Sequence, residues 1–175
     1  MKIISVGEIL RDVFDHGEYL GGPPCNFAAH AHRLGHEVFF VSAVGENKRG
    51  RIALAKMEQL GLPTRFVQRL AGESTSIVSV NLDSAGQPHF VIHRPAAYDR
   101  MSHSASDLTE RSSPPADGIC FGTLHQMSPQ ARDLLTALIQ RNPRAQRFYA
   151  VNLRVNSYDA PPVQALLERS SGCET

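Results

Sequence analysis

The residues best placed to do chemistry run from Gly21 to Ala29 and read Gly-Gly-Pro-Pro-Cys-Asn-Phe-Ala-Ala. Two adjacent glycines lack a Cβ, so the backbone can turn sharply there and a ligand can come close to it. Pro23 and Pro24 stiffen the exit from that turn, and proline is tolerated in the first turn of a helix. From Phe27 the chain reads as helix, with Ala28, Ala29, Ala31 and Leu34 apolar and Gly35 as its stop. Asn26 stands in the first turn, where its amide can reach back towards the glycines. A glycine turn, a helix N-terminus and an amide aimed at the gap suit a polar small molecule. An ordinary loop-to-helix connection has the same pattern, and this stretch alone leaves both readings standing.

The elements that would position these residues alternate along the chain. Ile3 to Val6 is a short, near-continuous apolar strand of the kind buried in a parallel sheet. Leu10 to Leu20 is mixed, carrying Arg11, Asp12, Asp15 and Glu18 into the Gly-Gly turn. Val38 to Val44 is the clearest strand, ended by Gly45. Lys48 to Leu60 is an amphipathic helix whose stripe is read as Ile52, Ala55, Met57 and Leu60, capped by Gly61. Phe66 and Val67 begin a shorter strand. Thr75 to Leu82 alternates with the period of a half-buried strand, Asp83 to Gly86 supplies a turn, and His89 to His93 returns as the second arm of a hairpin. A polar, serine-rich connection follows from Ser102 to Pro115. Gly118 to Gly122 is a buried strand. Ser128-Pro129 opens a helix with Leu134, Leu135, Leu138 and Ile139 on its apolar face. Phe148 to Leu153 is a further strand and Pro162 to Arg169 a last helix. This alternation predicts an α/β fold, a mostly parallel sheet with helices on both faces, and ligands bound beyond the carboxyl ends of its strands. The functional weight then falls on residues 7–12, 45–50, 122–126 and 152–154.

Composition narrows the function. The 175 residues suit one domain, and 42% hydrophobic with 20% charged residues describes a globular chain. A formal net charge of +1 gives no electrostatic reason for a nucleic-acid or acidic-membrane partner. No apolar run approaches the roughly 20 residues of a membrane span, and the apolar start is too short for a signal peptide. Cys25, Cys120 and Cys173 are odd in number and far apart, which predicts reduced thiols in a cytoplasm. No G-x-G-x-x-G follows the first strand and no G-x-x-x-x-G-K-[ST] occurs, which argues against a Rossmann dehydrogenase or a P-loop enzyme.

Seven motifs in order then point to a family. Val6-Gly7-Glu8-Ile9-Leu10-Arg11-Asp12, Gly21-Gly22-Pro23-Pro24-Cys25-Asn26 and Val44-Gly45-Glu46-Asn47-Lys48-Arg49-Gly50 resemble the N-terminal half of the ribokinase-like (PfkB) carbohydrate kinases. Gln59 to Leu62, Arg94 to Ala97, Cys120 to Leu124 and Val151 to Arg154 extend the resemblance, which is nearest the fructokinase-like branch. It implies a ribokinase-like fold with a small β-lid hairpin and ATP-dependent phosphorylation of a sugar hydroxyl. By the same resemblance Asp12 would accept hydrogen bonds from sugar hydroxyls, Gly21 and Gly22 would let the sugar lie against the backbone, and Asn26 would bind another hydroxyl. Segments near 10–20 and 75–97 would form the lid, Arg94 and Ala97 the pocket's rim, and Asn152 with Arg154 would face the nucleotide phosphates. A polyol needs such acceptors and amides, and water must be excluded before phosphoryl transfer.

The resemblance also implies what this chain lacks. The family's Gly-Ala-Gly-Asp base and anion hole, its Asn-x-x-Glu element and most of its adenine pocket belong to a C-terminal half not found in these residues. Residues 1–175 are therefore expected to be the truncated, N-terminal part of a ribokinase-like domain. It would contain no catalytic base and would not by itself hold the family's ATP and Mg2+ fully. Ala150 stands where the family usually has Asp. Its expected partners are a small sugar and a second copy, meeting through the lid or an exposed sheet edge. Two functions fit: a sugar kinase by descent, or a non-catalytic sugar-binding module, with a decayed fragment as a third. His30, His32 and His36 read as solvated surface rather than a metal site, and no metal is expected. His125 is the one histidine placed near the pocket, Cys25 reads as packing, and Asp99 as a lid residue or a helix cap.

Overall fold

A computed structural model describes residues 1–82, 84–104, 108 and 115–153. The core is a five-stranded sheet in the order β5-β4-β1-β8-β9. These strands are β1 (Lys2–Val6), β4 (Glu37–Gly45), β5 (Val67–Leu70), β8 (Gly118–Gly122) and β9 (Gln146–Ala150). Every pairing is parallel, with Ile4 opposite Phe39 on one side and Ile119 on the other. Parallel strands need crossovers, and the helices that supply them cover both faces. Helices α1 (Pro23–Arg33) and α2 (Lys48–Gln59) set Cys25, Ala28, Ala31, Ala53, Leu54 and Met57 against Ile3, Val38, Phe40 and Val44. Helix α3 (Pro129–Arg141) sets Leu134, Leu135 and Leu138 against Ile4, Phe39, Val41, Ile119 and Phe121. The chain winds one way from β1 to β4 and β5, then returns to β1's other side with β8. That reversal opens a crevice at the carboxyl ends of β1 and β8.

Beyond that crevice stands a second sheet, β3-β2-β6-β7. Its members are β2 (Leu10–Phe14), β3 (Gly17–Gly21), β6 (Ser76–Leu82) and β7 (Pro88–Ile92). Leu10, Val78, Val80, Ala96, Tyr98 and Leu124 form a small apolar core beneath it. The two segments expected to form the lid, near 10–20 and 75–97, thus share one four-stranded sheet, more than the small hairpin alone. The stretch read as mixed, Leu10 to Leu20, is itself an antiparallel hairpin that joins β6 through a parallel pairing, Asp12 opposite Val78.

Smaller differences have local causes. Helix α1 begins at Pro23 instead of Phe27, because both prolines occupy its first turn. Helix α2 buries Gly50, Ala53, Leu54 and Met57 and leaves Ile52 and Ala55 exposed. Gly50 packs on the Gly45 carbonyl, where a Cβ would collide, and this rotates the helix away from the stripe read in the sequence. Strand β9 spans 146–150 rather than 148–153. The Ser128 hydroxyl bonds Gln130 Oε1 at 2.8 Å and does not cap α3. The expected last helix, Pro162 to Arg169, lies outside the described residues, as do Arg154, Cys173 and most of the serine-rich connection.

Candidate functional site

The crevice between core and lid is a cleft of about 250 Å³. The sequence builds it from three directions. Strand β2 alternates, burying Arg11 on one side and turning Asp12 to the other, where it lines the cleft. Gly22 forms the floor, at φ +108 and with the Glu8 carbonyl oxygen 2.5 Å from where a Cβ would stand, so only glycine fits. Gly21 leaves room for Asp12, since a Cβ there would run into Asp12 Oδ2 and push that side chain aside. Asn26 follows from the first turn of α1, and Val78, Phe90 and Ile92 of the lid form an apolar roof. Asn152 closes the far side, held by its backbone N–H donating to Thr123 Oγ1 at 3.0 Å.

The cleft therefore offers one carboxylate and two amides, with no lysine or arginine among the described lining residues. That set hydrogen-bonds neutral hydroxyl groups and gives a triphosphate no counter-charge. The start of α1 also departs from a usual anion-binding helix end. Its first two positions are Pro23 and Pro24, which carry no N–H, and Gly22 supplies no side-chain cap. Side chains, not helix amides, supply the polar groups of the cleft here. Among the described residues no group of three or more His, Cys, Asp or Glu could hold a metal ion.

Of the residues singled out in the sequence, Asp12, Gly22, Asn26 and Asn152 come together at the cleft and Gly21 backs Asp12. Asn152 faces the same space as Asp12. Arg94 and Ala97 lie outside its lining. Ala97 is fully buried in the core, and Arg94 bonds Asp99, Nε to Oδ2 at 3.2 Å and Nη2 to Oδ1. Asp99 also accepts the Ala96 N–H at 3.0 Å, which matches its reading as a cap. His125 is buried behind the cleft, where burial pushes it down to about 3, so it stays a neutral packing group. Cys25 is packing as read, and burial first, then the Glu8 charge, pushes its thiol up to about 12.

Two features carried no sequence signal. Glu18 of β3 binds Arg49 of α2 at 2.7 Å and lies 3.6 Å from Arg11, tying the lid to the core. The hydrogen bond from Arg49 holds the Glu18 carboxyl below its ordinary value. Glu8 is fully buried, neither carboxyl oxygen has a hydrogen-bond partner, and desolvation pushes it up to about 7 against the pull of nearby amides and Arg94. A motif of one carboxylate beside a glycine gives no hint of such burial.

Comparison with known proteins agrees with this geometry. The family model for pfkB family carbohydrate kinases matches residues 4–170. An ATP-dependent 6-phosphofructokinase of Thermoanaerobacterium thermosaccharolyticum is 31% identical over 107 residues, covering 55% of this chain and 33% of that protein. A fructokinase of Klebsiella pneumoniae is 32% identical over 102 residues, with the same coverage of 55% and 33%. The match thus spans about a third of the length of these curated relatives. A crystal structure of a fructokinase with bound ATP from Xylella fastidiosa superposes with a TM-score of 0.82 at 22% identity, covering 98% of this chain and 56% of that one. At that identity the likeness shows a shared fold.

Proposed function

The chain belongs to the pfkB family of carbohydrate kinases, and from that premise we propose that it forms the sugar-binding part of a kinase that phosphorylates a hydroxyl of a sugar such as fructose. The observation that carries this reading is the cleft itself. Asp12, Asn26 and Asn152 line it beside the close backbone of Gly22, under an apolar roof. In this reading Asp12 accepts two hydroxyl hydrogens, the amides bind others, and the roof of Val78, Phe90 and Ile92 excludes water from them. Fructokinases among the relatives favour a ketohexose. ATP is the phosphoryl donor, as a fructokinase neighbour with bound ATP suggests.

The described residues do not fit ATP or Mg2+ by themselves. Among its described lining residues the cleft carries no cation for the phosphates, and Arg154 lies outside the described residues. In our reading residues 1–175 therefore bind sugar and transfer no phosphoryl group alone. The thiols of Cys25 and Cys120 are free and buried, which favours a reducing cytoplasm as the site of action. Among the described residues β9 is paired only to β8, with Val151 and Leu153 exposed just past it, an edge suited to a second copy or to a segment supplying the rest of the sheet.

Calorimetric titration with fructose and ribose tests the reading. A charge-assisted hydrogen bond contributes roughly 1.5–3 kcal/mol, so Asp12→Ala should weaken sugar binding by about one to two decades. Equal affinity in wild type and Asp12→Ala would remove Asp12 from the site. Addition of ATP and fructose should give no sugar phosphate, and a turnover in the usual kinase range of about 1–100 s⁻¹ would overturn the claim of inactivity.

A further inference from the structure

One wall of the cleft depends on a hydroxyl that is not part of its described lining. Strands β8 and β9 pair in parallel as far as Gly122 opposite Ala150. Beyond that pair the two segments diverge. After Gly122 the backbone enters a short 3-10 turn, His125–Met127, and the Thr123 carbonyl is engaged there, accepting the Gln126 N–H at 3.1 Å. Past Ala150 the other segment runs through Val151 and Asn152, and both line the cleft. A side chain still joins the two: Thr123 Oγ1 accepts the Asn152 N–H at 3.0 Å. The hydroxyl thus adds one bond beyond the ladder, where the carbonyl of Thr123 is already taken.

The surroundings of that bond make it specific. Thr123 is fully buried, and its hydroxyl has a second partner in the Tyr149 hydroxyl at 3.1 Å. A threonine hydroxyl carries one hydrogen and two acceptor lone pairs, so both contacts are made at once. Branching at Cβ restricts the Thr123 side chain to few rotamers. The Tyr149 ring is set in turn by stacking on Phe121, with centroids 5.0 Å apart and planes at 17°. Phe121 belongs to the main apolar core. An unbroken series of contacts therefore leads from that core through Tyr149 and Thr123 to the backbone of Asn152. Val151 and Leu153, on either side of Asn152, are exposed, so apolar burial does little to fix this segment.

We propose that Thr123 is a positioning residue for the cleft: its hydroxyl, oriented by Tyr149, fixes the backbone at Asn152 and so holds Asn152 in the space it shares with Asp12. Thr123 touches no ligand in this account and acts through Asn152. An amide held in place before a ligand arrives loses less freedom on binding than one that must first be ordered. The effect on sugar affinity rests on the sugar-binding reading above, whereas the hold on Asn152 is measured without sugar.

The full chain is compared with Thr123→Val, which removes the hydroxyl at nearly constant shape, and with Thr123→Ser, which restores it. Without sugar, the Asn152 amide should exchange about tenfold or more faster in Thr123→Val and return to within about threefold of wild type in Thr123→Ser. Calorimetry with fructose should show Thr123→Val binding about three- to tenfold more weakly, as for one neutral hydrogen bond lost. Added to Asn152→Ala, Thr123→Val should weaken binding no further, because a residue that acts through Asn152 has nothing left to position. A full, independent loss in the Asn152→Ala background overturns the proposal, as does an Asn152 amide indifferent to Thr123→Val. Thr123→Ser as fast in exchange as Thr123→Val would assign the effect to packing of the methyl group and overturn it too. Should Thr123→Val fail to fold, Tyr149→Phe puts the same question through the partner hydroxyl at a half-buried position. Asn152 exchange should then rise about twofold or more, and no rise overturns the proposal. Wild type that binds no fructose, with Asn152 loosened in Thr123→Val, would remove the sugar reading and support the hold by Thr123.

Discussion

The two sheets of this molecule are held by different physics. The core sheet is parallel, and β1, β4 and β8 are apolar almost end to end and buried on both faces. The lid sheet mixes antiparallel and parallel pairs, and β7 is exposed or half-exposed along its length. Its apolar core is small, and polar contacts accompany it at two places: Glu18 with Arg49 at one edge, and Arg94 with Asp99 at its root. Apolar burial is the main hold on the core. A partly exposed ion pair such as Glu18–Arg49 is screened by solvent, so the lid is expected to open locally at lower cost than the core.

Substitutions sharpen that contrast, and the largest effect belongs to the core. Phe40 of β4 is fully buried between α1 and α2, so Phe40→Ala should cost about 3–5 kcal/mol in chemical denaturation. A loss under about 1 kcal/mol would show a core that repacks freely. The junction comes next. The folded carboxyl of Glu8 is raised from 4.5 to about 7, so the native state holds the proton more tightly than the unfolded chain. Stability associated with Glu8 is then fully present below about pH 4.5 and falls as the pH rises towards 7. The loss amounts to about 3 kcal/mol at 1.36 kcal/mol per unit, and Glu8→Gln should flatten that slope and raise stability at about pH 8. An unchanged slope in Glu8→Gln would assign the titration to another group.

The smallest effect belongs to the lid's edge. The Glu18–Arg49 pair is partly exposed, with side chains 29% and 42% accessible, so solvent screens it. Arg49→Ala should change global stability by less than about 1 kcal/mol while raising amide exchange in β3. Unaltered exchange in β3 would mean that the pair does not hold the lid.

Legibility in the sequence follows the same division. Strand β8 matches its reading, Gly118 to Gly122, and β1 and β4 differ by a residue or so, because a continuous apolar run has little alternative to a buried parallel strand. The hairpin of β2 and β3 was hidden because its inward residue is Arg11, whose burial is offset by the Glu18 carbonyl at 3.0 Å and its carboxylate, partners no local pattern displays. The stripe of α2 was misplaced because close packing at Gly50, not hydrophobicity, orients the helix. Within the cleft lining, the glycine turn and Asn26 stood out by residue type, and Asp12 through the resemblance to the carbohydrate kinases. Glu8 did not stand out, because its raised carboxyl comes first from burial, which only the folded chain creates around it.

The central claim is that a sugar binds between lid and core, and hydrogen exchange with and without saturating fructose tests it most directly. The account predicts slower amide exchange in β2, β6 and β7 and around Asn26 and Asn152, with β4 and β5 unchanged. Those cleft residues are the ones a sugar would bridge. Protection that appears at β5 or α3 instead, or no change anywhere while calorimetry reports binding, would contradict it.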